Sequence, residues 1–258
     1  MRKDNKIIWL IVALVIVGLS GCGNVDSDYA INSGGAFSLK EVSGSGVVVE
    51  EDRTVLGISE IVLAGEGNLY LEEGPVEELI VRAEDNLLPY LVTEVQGGIL
   101  EIRTRSIVSL EPTRPIEYHL TVVSLESVIL SGVGDIKISG LTTPQLALTL
   151  SGVGNVEVTN LEADELDATL SGVGNFDISG TVDVQRLNIT GLGDYDARDL
   201  SSLDATISIV GNDTQTATVR VSDMLTVTIN GDGMVFYIGD PFVDSNITGS
   251  GSVQQIPG

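Results

Sequence analysis

Hydrophobic and polar residues alternate along most of the chain from residue 47 onward. The clearest alternating runs lie at residues 58–65, 78–84, 99–105 and 116–123. Alternation with a period of two is typical of β-strands that bury one face. One segment departs from this pattern: EDNLLPYLVTEV (84–95) favours a single helical turn, which Pro89 interrupts. The pattern therefore predicts an all-β protein with one short helix near residues 85–92.

One phrase returns at nearly constant intervals in the second half of the chain. LSGVGDIKISG begins at residue 130, LSGVGNVEVTN at residue 150 and LSGVGNFDISG at residue 170. Later copies diverge in sequence but keep nearly the same interval between their first glycines, at Gly191, Gly211, Gly231 and Gly249. Constant spacing with diverging sequence is typical of a repeat architecture rather than of a catalytic motif.

Each repeat combines an alternating run, a Gly-x-Gly corner, usually an Asn or Asp, and a second alternating run. Glycine allows the backbone to turn sharply and lets neighbouring backbones approach closely. Asn and Asp side chains form hydrogen bonds to nearby backbone groups. We therefore interpret eight glycines as structural turn residues: Gly132, Gly134, Gly152, Gly154, Gly172, Gly174, Gly191 and Gly193.

The length of the repeat indicates how the units stack. Twenty extended residues trace roughly 66 Å, which is enough for one circuit around a narrow apolar core. Circuits stacked about 4.8 Å apart would pair every strand with its neighbours, and would place Leu130, Leu150 and Leu170 in one internal column and Asn155 above Asn175. The interval predicts a right-handed parallel β-helix, or β-solenoid, with coils of about 20 residues. An antiparallel sandwich of hairpins is the alternative, but it does not explain the constant interval.

The beginning of the chain, up to Cys22, has the pattern of an export signal. Basic residues precede an apolar run at 7–19, which is shorter than the roughly 20 residues that span a bilayer. The following LSGC resembles the bacterial lipobox, in which the signal is cut before the cysteine and the thiol receives lipid. Cys22 is the only cysteine and cannot form an internal disulfide. We predict a signal peptide at 1–21 and lipid attachment at Cys22; an uncleaved membrane anchor is the alternative.

The remaining chain divides by composition. Residues 22–46 are small, polar and glycine-rich, so we predict a flexible tether. An N-terminal β part follows at 47–125, and the glycine-rich solenoid at 126–258 continues from it. The expected location is extracytoplasmic, with the lipid holding the protein to a bacterial membrane in the cell envelope.

Composition limits the classes of partner. The chain has 37 acidic and 13 basic side chains and a net charge of −24, so its surface repels phosphate backbones, and we expect no nucleic-acid binding. The apolar share of 43% is ample for a folded core. The only direct membrane contact that we expect is through the N-terminal lipid.

Catalytic sets are scarce in this sequence. His119 is the only histidine, and its place in the alternating run IEYHLTVV favours a strand side chain over a catalytic base. One histidine and one lipidated cysteine exclude Ser-His-Asp, Cys-His and zinc sites. Carboxylate pairs such as Asp194/Asp196 exist, and some β-helices are polysaccharide lyases or glycosidases, but aromatic residues are few. We predict a protein without catalytic activity or cofactor.

Calcium binding is a further alternative. Gly-x-Gly-Asp corners are similar to the calcium-binding turns of repeat-toxin β-rolls, and they make Asp135, Asp194 and Asp232 the candidate ligands. The period of about 20 rather than nine, and the uncharged Asn at equivalent corners, oppose this interpretation. We therefore expect no metal, and expect these side chains to form hydrogen bonds to the backbone.

The repeats, together with ISEIVLAGEGNLYLEEG and EDNLLPYLVTEV, resemble the bacterial putative auto-transporter adhesin family that carries the head GIN domain. The resemblance extends from about residue 55 to residue 250. It implies a secreted or lipid-anchored envelope protein with a β-helical fold, and it implies no catalytic residue. We therefore expect an adhesin or binding module whose partner is an envelope or surface protein or a glycan. The alternatives are a structural envelope scaffold and a polysaccharide-active β-helix enzyme.

Overall fold

The computed structural model describes residues 40–211 and 215–258. The predicted signal peptide, the lipid attachment at Cys22 and most of the tether lie outside these residues. The described part contains eighteen strands and one 3-10 helix. The strands are β1 (Lys40–Ser43), β2 (Val48–Arg53), β3 (Glu60–Leu63), β4 (Asn68–Glu73), β5 (Glu78–Glu84), β6 (Leu91–Gln96), β7 (Ile99–Thr104), β8 (Val108–Glu111), β9 (Glu117–Val122), β10 (Ser127–Leu130), β11 (Ile136–Leu150), β12 (Val156–Leu170), β13 (Phe176–Ile189), β14 (Tyr195–Gly211), β15 (Thr216–Gly231), β16 (Met234–Ile238), β17 (Phe242–Thr248) and β18 (Ser252–Gln255).

The repeats form the predicted parallel β-solenoid. Strands β10 to β18 pair in parallel with their equivalents in the next coil, so Leu130 is the partner of Leu150, Leu150 of Leu170 and Leu170 of Ile189. All four side chains are fully buried and belong to one continuous apolar core. Neighbouring coils bury the apolar face that a single coil would leave exposed. The predicted coil length is confirmed by this register, and the antiparallel sandwich is wrong for this part of the chain.

The solenoid begins earlier than predicted. Strand β3 pairs in parallel with β10, and β4 pairs in parallel with β11. Between them, Gly65-Glu66-Gly67-Asn68 lies against the corner of the next coil, where Glu66 bridges to Val133. The boundary between an N-terminal β part and a solenoid at 125/126 is therefore corrected, because β3 and β4 already form a coil.

Antiparallel strands occur only in the N-terminal part of the described residues. Strand β5 pairs antiparallel with β2 and β9, and β6 pairs antiparallel with β7. Strands β7 and β9, from the segment between the first coil and the second, pair in parallel with β3 and β4. They cover the outer edge of the first coil, which would otherwise present unpaired backbone groups, and the antiparallel strands β5 and β6 pair with them.

Two smaller predictions concern the same region. The short helix predicted near 85–92 is present as the 3-10 helix Leu88–Tyr90, with Pro89 in its first turn. The predicted tether is too long, because Lys40–Ser43 forms β1 and pairs in parallel with β8. The tether predicted at 22–46 therefore overlaps β1, and its residues before Lys40 lie outside the described residues. The described residues contain no helix with the length and hydropathy needed to cross a membrane.

A buried carboxylate holds the N-terminal part together. The side chain of Glu84, at the end of β5, is inaccessible to solvent. It accepts hydrogen bonds from the hydroxyl and the N–H of Thr113, at 2.6 and 2.8 Å, and from the N–H of Gly46 at 2.5 Å. The Thr113 hydroxyl is the largest of the causes that hold the pKa of Glu84 below its usual value of 4.5, against the opposing effect of burial. Glu84 thus joins the segment before β2 to the segment between β8 and β9.

Replacing Glu84 with glutamine is expected to lower the melting temperature by several degrees at pH 7, because an amide accepts these hydrogen bonds less well. The folded-state pKa lies below the unfolded value, so the stabilisation is complete above about pH 4.5 and is lost as the pH falls through the folded pKa. The difference in melting temperature between the wild type and Glu84→Gln should therefore narrow below pH 4.5. Circular dichroism melts across pH 3 to 7 measure this, with the exposed Glu162→Gln as control. A constant difference across this range would contradict the role given to the charge.

Candidate binding face

The Gly-x-Gly corners form one continuous ladder along the solenoid. Val133, Val153, Val173 and Leu192 are bridged in parallel from coil to coil, and each is about half exposed. The residue after each corner forms a second ladder, in which its side-chain oxygen accepts a backbone N–H of the next coil. The Oδ1 atom of Asn155 accepts the N–H of Asn175 at 3.1 Å, as predicted from the stacking of these two residues.

The same ladder contains two of the three candidate calcium ligands. Asp135 accepts the N–H of Asn155 at 2.8 Å, and Asp194 accepts the N–H of Thr216 at 2.9 Å. Asp232 lies in a later corner and accepts the Ser250 hydroxyl. Two asparagines separate Asp135 from Asp194, and the described residues contain no cluster of three or more His, Cys, Asp or Glu side chains arranged for a metal. The geometry supports a backbone-capping role for the aspartates that face the ladder.

The outward side chains of β9, β4 and β11 to β14 form two parallel rows on one side of the solenoid, which we call the lateral face. The parallel register fixes the first row as His119, Tyr70, Lys137, Glu157, Asp177 and Asp196. The second row consists of Thr121, Glu72, Ser139, Thr159 and Ser179. Neighbours within a row are about 4.8 Å apart, and the rows are about 6.6 Å apart, because each strand contributes every second residue.

A groove occupies the N-terminal end of the lateral face. Its volume is about 310 Å³. The rings of Tyr70 and His119 stack with their centroids 4.9 Å apart and an angle of 12° between their planes. Glu72, Glu78 and Lys137 also line the groove, together with hydroxyl-bearing and apolar side chains from the neighbouring strands. Aromatic, carboxylate and hydroxyl groups therefore meet in one shallow groove.

Charge along the lateral face changes from mixed to acidic. Lys137, beside Tyr70, forms an ion pair with Glu157 at 2.7 Å. Burial raises the pKa of Asp177, and the nearby charges of Asp196 and Glu157 raise this pKa further. Arg198 pairs with Asp196 at 2.8 Å and offsets part of this repulsion. The face favours neutral or cationic ligands over anions.

The structure confirms the interpretation of His119 as a strand side chain and adds what the sequence did not show. His119 lies on β9, with its side chain 47% exposed and its Nε2 atom 3.5 Å from Glu117. Tyr70, its stacking partner, was absent from the predicted site residues. Aligning AGEGN (64–68) with SGVGD (131–135) would have placed Tyr70 beside Lys137, but the segment from β5 to β9 separates these two copies.

Comparisons with known proteins agree with this architecture. A family model described as "Putative auto-transporter adhesin, head GIN domain" matches residues 58–241. The chain is similar to the crystal structure of a putative adhesin from Bacteroides fragilis, with a TM-score of 0.80 and 24% identity over 83% of this chain and 100% of that one. It is also similar to a putative lipid binding protein from Parabacteroides distasonis, with a TM-score of 0.71 and 25% identity over 84% of this chain and 100% of that one.

A third similar structure is a putative adhesin from Parabacteroides merdae, with a TM-score of 0.62 and 19% identity over 84% of this chain and 99% of that one. No curated protein sequence matches this chain at a significant level. At these identities the likeness to the adhesins of B. fragilis and P. merdae shows a shared fold.

Proposed function

Because the chain belongs to the family described as "Putative auto-transporter adhesin, head GIN domain", we propose that it is a non-catalytic binding module of the cell envelope, held to the membrane by a lipid on Cys22. We propose further that its ligand is a neutral or amino-sugar glycan, which lies along the lateral face and enters the groove at Tyr70 and His119. The stacked pair of rings within a carboxylate-lined and hydroxyl-lined groove is the observation that carries the second proposal.

The groove offers the two kinds of contact that a sugar needs. The rings of Tyr70 and His119, together with the aliphatic side chain of Ile80, provide apolar surface for the C–H groups of a pyranose. The carboxylates of Glu72 and Glu78 accept hydrogen bonds from sugar hydroxyls, and bonds to a charged acceptor are the stronger ones. The row spacing of about 4.8 Å is close to the length of one sugar unit in an extended chain, so successive strands can contact successive sugars.

The carboxylate that lies beside His119 supports binding rather than turnover. Glu117, the acidic side chain 3.5 Å from His119, accepts a hydrogen bond from Arg82 at 2.7 Å, and this bond is the main cause that lowers the pKa of Glu117. A carboxyl group with a lowered pKa is poorly suited to act as the general acid that glycoside hydrolysis requires. Glu117 is better described as a structural partner of Arg82.

Isothermal titration of residues 39–258, which form one compact unit, with cellotriose and chitotriose tests the glycan proposal. We expect saturable binding with a dissociation constant between about 10 μM and 1 mM, and a loss of at least about tenfold in affinity for Tyr70→Ala, because one stacking surface is removed. Phe236→Ala is the matched control, since Phe236 is an aromatic residue in the same row on β16, roughly 29 Å away. Melting curves of both variants show whether the fold is kept.

Three results would contradict the proposal. If neither trisaccharide binds, a glycan is not the ligand. If Tyr70→Ala and Phe236→Ala lower the affinity equally, the groove is not the binding site. If a chromatogram of the titrated mixture shows shorter sugars, the protein cleaves the glycan and is not a non-catalytic binding module.

Lipid contact is a second candidate function. The similar structure from P. distasonis is described as a putative lipid binding protein, and the half-exposed ridge of Val133, Val153, Val173 and Leu192 gives this chain an apolar stripe. The net charge of −24 disfavours anionic bilayers. Co-sedimentation of residues 39–258 with phosphatidylcholine vesicles, lost in Val153→Asp, would support this candidate over the glycan.

A further inference from the structure

The last described coil of the solenoid, residues 242–258, has an open strand edge. Within the described residues, β17 pairs only with β15, and β18 pairs only with β16. The opposite edge of each strand therefore presents N–H and C=O groups to which no strand of the described chain is paired. Such an edge is a template for pairing with another chain. We call residues 242–258 the terminal coil.

The core is incomplete at the same place. Ile229 is fully buried, whereas Ile247, its register partner on β17, is 38% exposed. An apolar side chain that another coil would cover is therefore partly exposed to solvent at this end. Phe242, at the start of β17, is 69% exposed, and it continues an outward row in which its register partner Met224 is already 44% exposed.

The terminal coil also differs from the rest of the chain in charge. It contains one ionisable side chain, Asp244, in a protein with a net charge of −24. Natural edge strands are usually protected by charged side chains, proline or a β-bulge. Strand β17 has a single charged side chain, Asp244, and no proline, and its register with β15 continues without a shift from Phe242 to Thr248.

We propose that two copies of this chain associate end to end through their terminal coils, with β17 of one copy antiparallel to β17 of the other. A two-fold axis places the same edge on both partners, so one strand can be its own complement. The nearly uncharged coil allows this contact, whereas the acidic flanks of two copies repel each other. A second copy is therefore the occupant that the charge distribution favours.

The arrangement has a consequence for adhesion, which rests on the proposed function. Lys40, the first described residue, lies in the pair β1–β8, and its Nζ atom donates a hydrogen bond to the hydroxyl of Tyr90, just before β6. The terminal coil lies at the other end of the strand order. Two copies joined by their terminal coils would carry Lys40, the first described residue, at the two far ends of the pair, an arrangement that suits proteins anchored on two facing surfaces. The contact would then be homotypic adhesion.

Light scattering coupled to size-exclusion chromatography of residues 39–258, over loading concentrations from micromolar to several hundred micromolar, tests the dimer. We expect a mass that rises from one copy toward two copies with concentration. Ile247→Lys places a charge at the pairing edge and should raise the dissociation constant at least about tenfold. Leu192→Lys is the matched control, because Leu192 is also half exposed but lies on the corner ridge, and it should leave the dimer intact.

A mass of one copy at every concentration would overturn the proposal. Loss of the dimer in Leu192→Lys but not in Ile247→Lys would also overturn it, and would identify the ridge as the contact. Tyr70→Ala should dimerise normally, so loss of glycan binding and loss of dimerisation can be told apart. A melt of Ile247→Lys that matches the wild type excludes unfolding as the cause.

Discussion

Gly174→Ala is expected to destabilise residues 39–258 by at least about 4 kcal/mol, the largest effect of any single methyl addition that we consider. Gly174 has a φ of +148°, which an alanine adopts only with strain. A Cβ atom at this position would also overlap the carbonyl oxygen of Gly154, in the coil below. Because the coils are stacked at strand spacing, the clash cannot be relieved without separating two hydrogen-bonded coils.

Urea denaturation of the variant and the wild type measures this effect. Gly140→Ala is the matched control: Gly140 also has a positive φ, of +66°, but no atom lies within 4 Å of its added Cβ. Its cost should therefore be the backbone strain alone, about 1 to 2 kcal/mol. Equal costs for the two variants would show that the coils do not approach closely at the Gly-x-Gly corner.

Leu150→Ala is expected to cost about 3 kcal/mol, because it removes a fully buried side chain between Leu130 and Leu170 in adjacent coils. The loss has two parts, the lost transfer free energy of the leucine and the cavity left between two coils that cannot collapse sideways. Thr149→Ala, on the outward side of the same strand, should change the free energy of unfolding by no more than about 0.5 kcal/mol.

The free energies of unfolding of Leu150→Ala and Thr149→Ala are measured by the same urea denaturation. The prediction fails if Thr149→Ala costs as much as Leu150→Ala, since the inward and outward sides of β11 would then have been wrongly assigned.

Much of the solenoid was predictable because the repeat interval determines which residues of adjacent coils are register partners. The equal steps from Leu130 to Leu150 and from Leu150 to Leu170 return each leucine to the same internal position. The step to Ile189 is shorter, but the position is kept because β13 is correspondingly shorter than β12. The alternation of apolar and polar residues then assigns the inward and outward sides of each strand.

The N-terminal part was less predictable because no constant repeat interval there indicates which strands pair. The whole segment from β5 to β9 separates the first coil from the second, and Glu66 stands where later copies have valine or leucine. The antiparallel strands alternate just as the parallel ones do, so alternation does not reveal their direction. Glu84 provides no local signal either, because its partners Gly46 and Thr113 are distant in sequence.

The candidate groove depends on this less predictable part. Tyr70 and His119 are distant in sequence, and only the parallel pairing of β4 with β9 brings their rings into contact. The sequence alone indicated that aromatic residues are scarce, which argued against carbohydrate processing. The structure shows that Tyr70, one of the six tyrosines, is stacked on the only histidine, His119, on one exposed face.

Cysteine cross-linking tests the stacked register most directly, since residues 39–258 contain no native cysteine. Thr149 and Thr169 are register partners on the outward side of adjacent coils, at a spacing within the range that a disulfide requires. The account predicts that the double variant Thr149→Cys/Thr169→Cys oxidises to an intramolecular disulfide, whereas Thr149→Cys/Asn188→Cys, two coils apart, stays reduced. Cross-linking of the second pair but not of the first would contradict the solenoid.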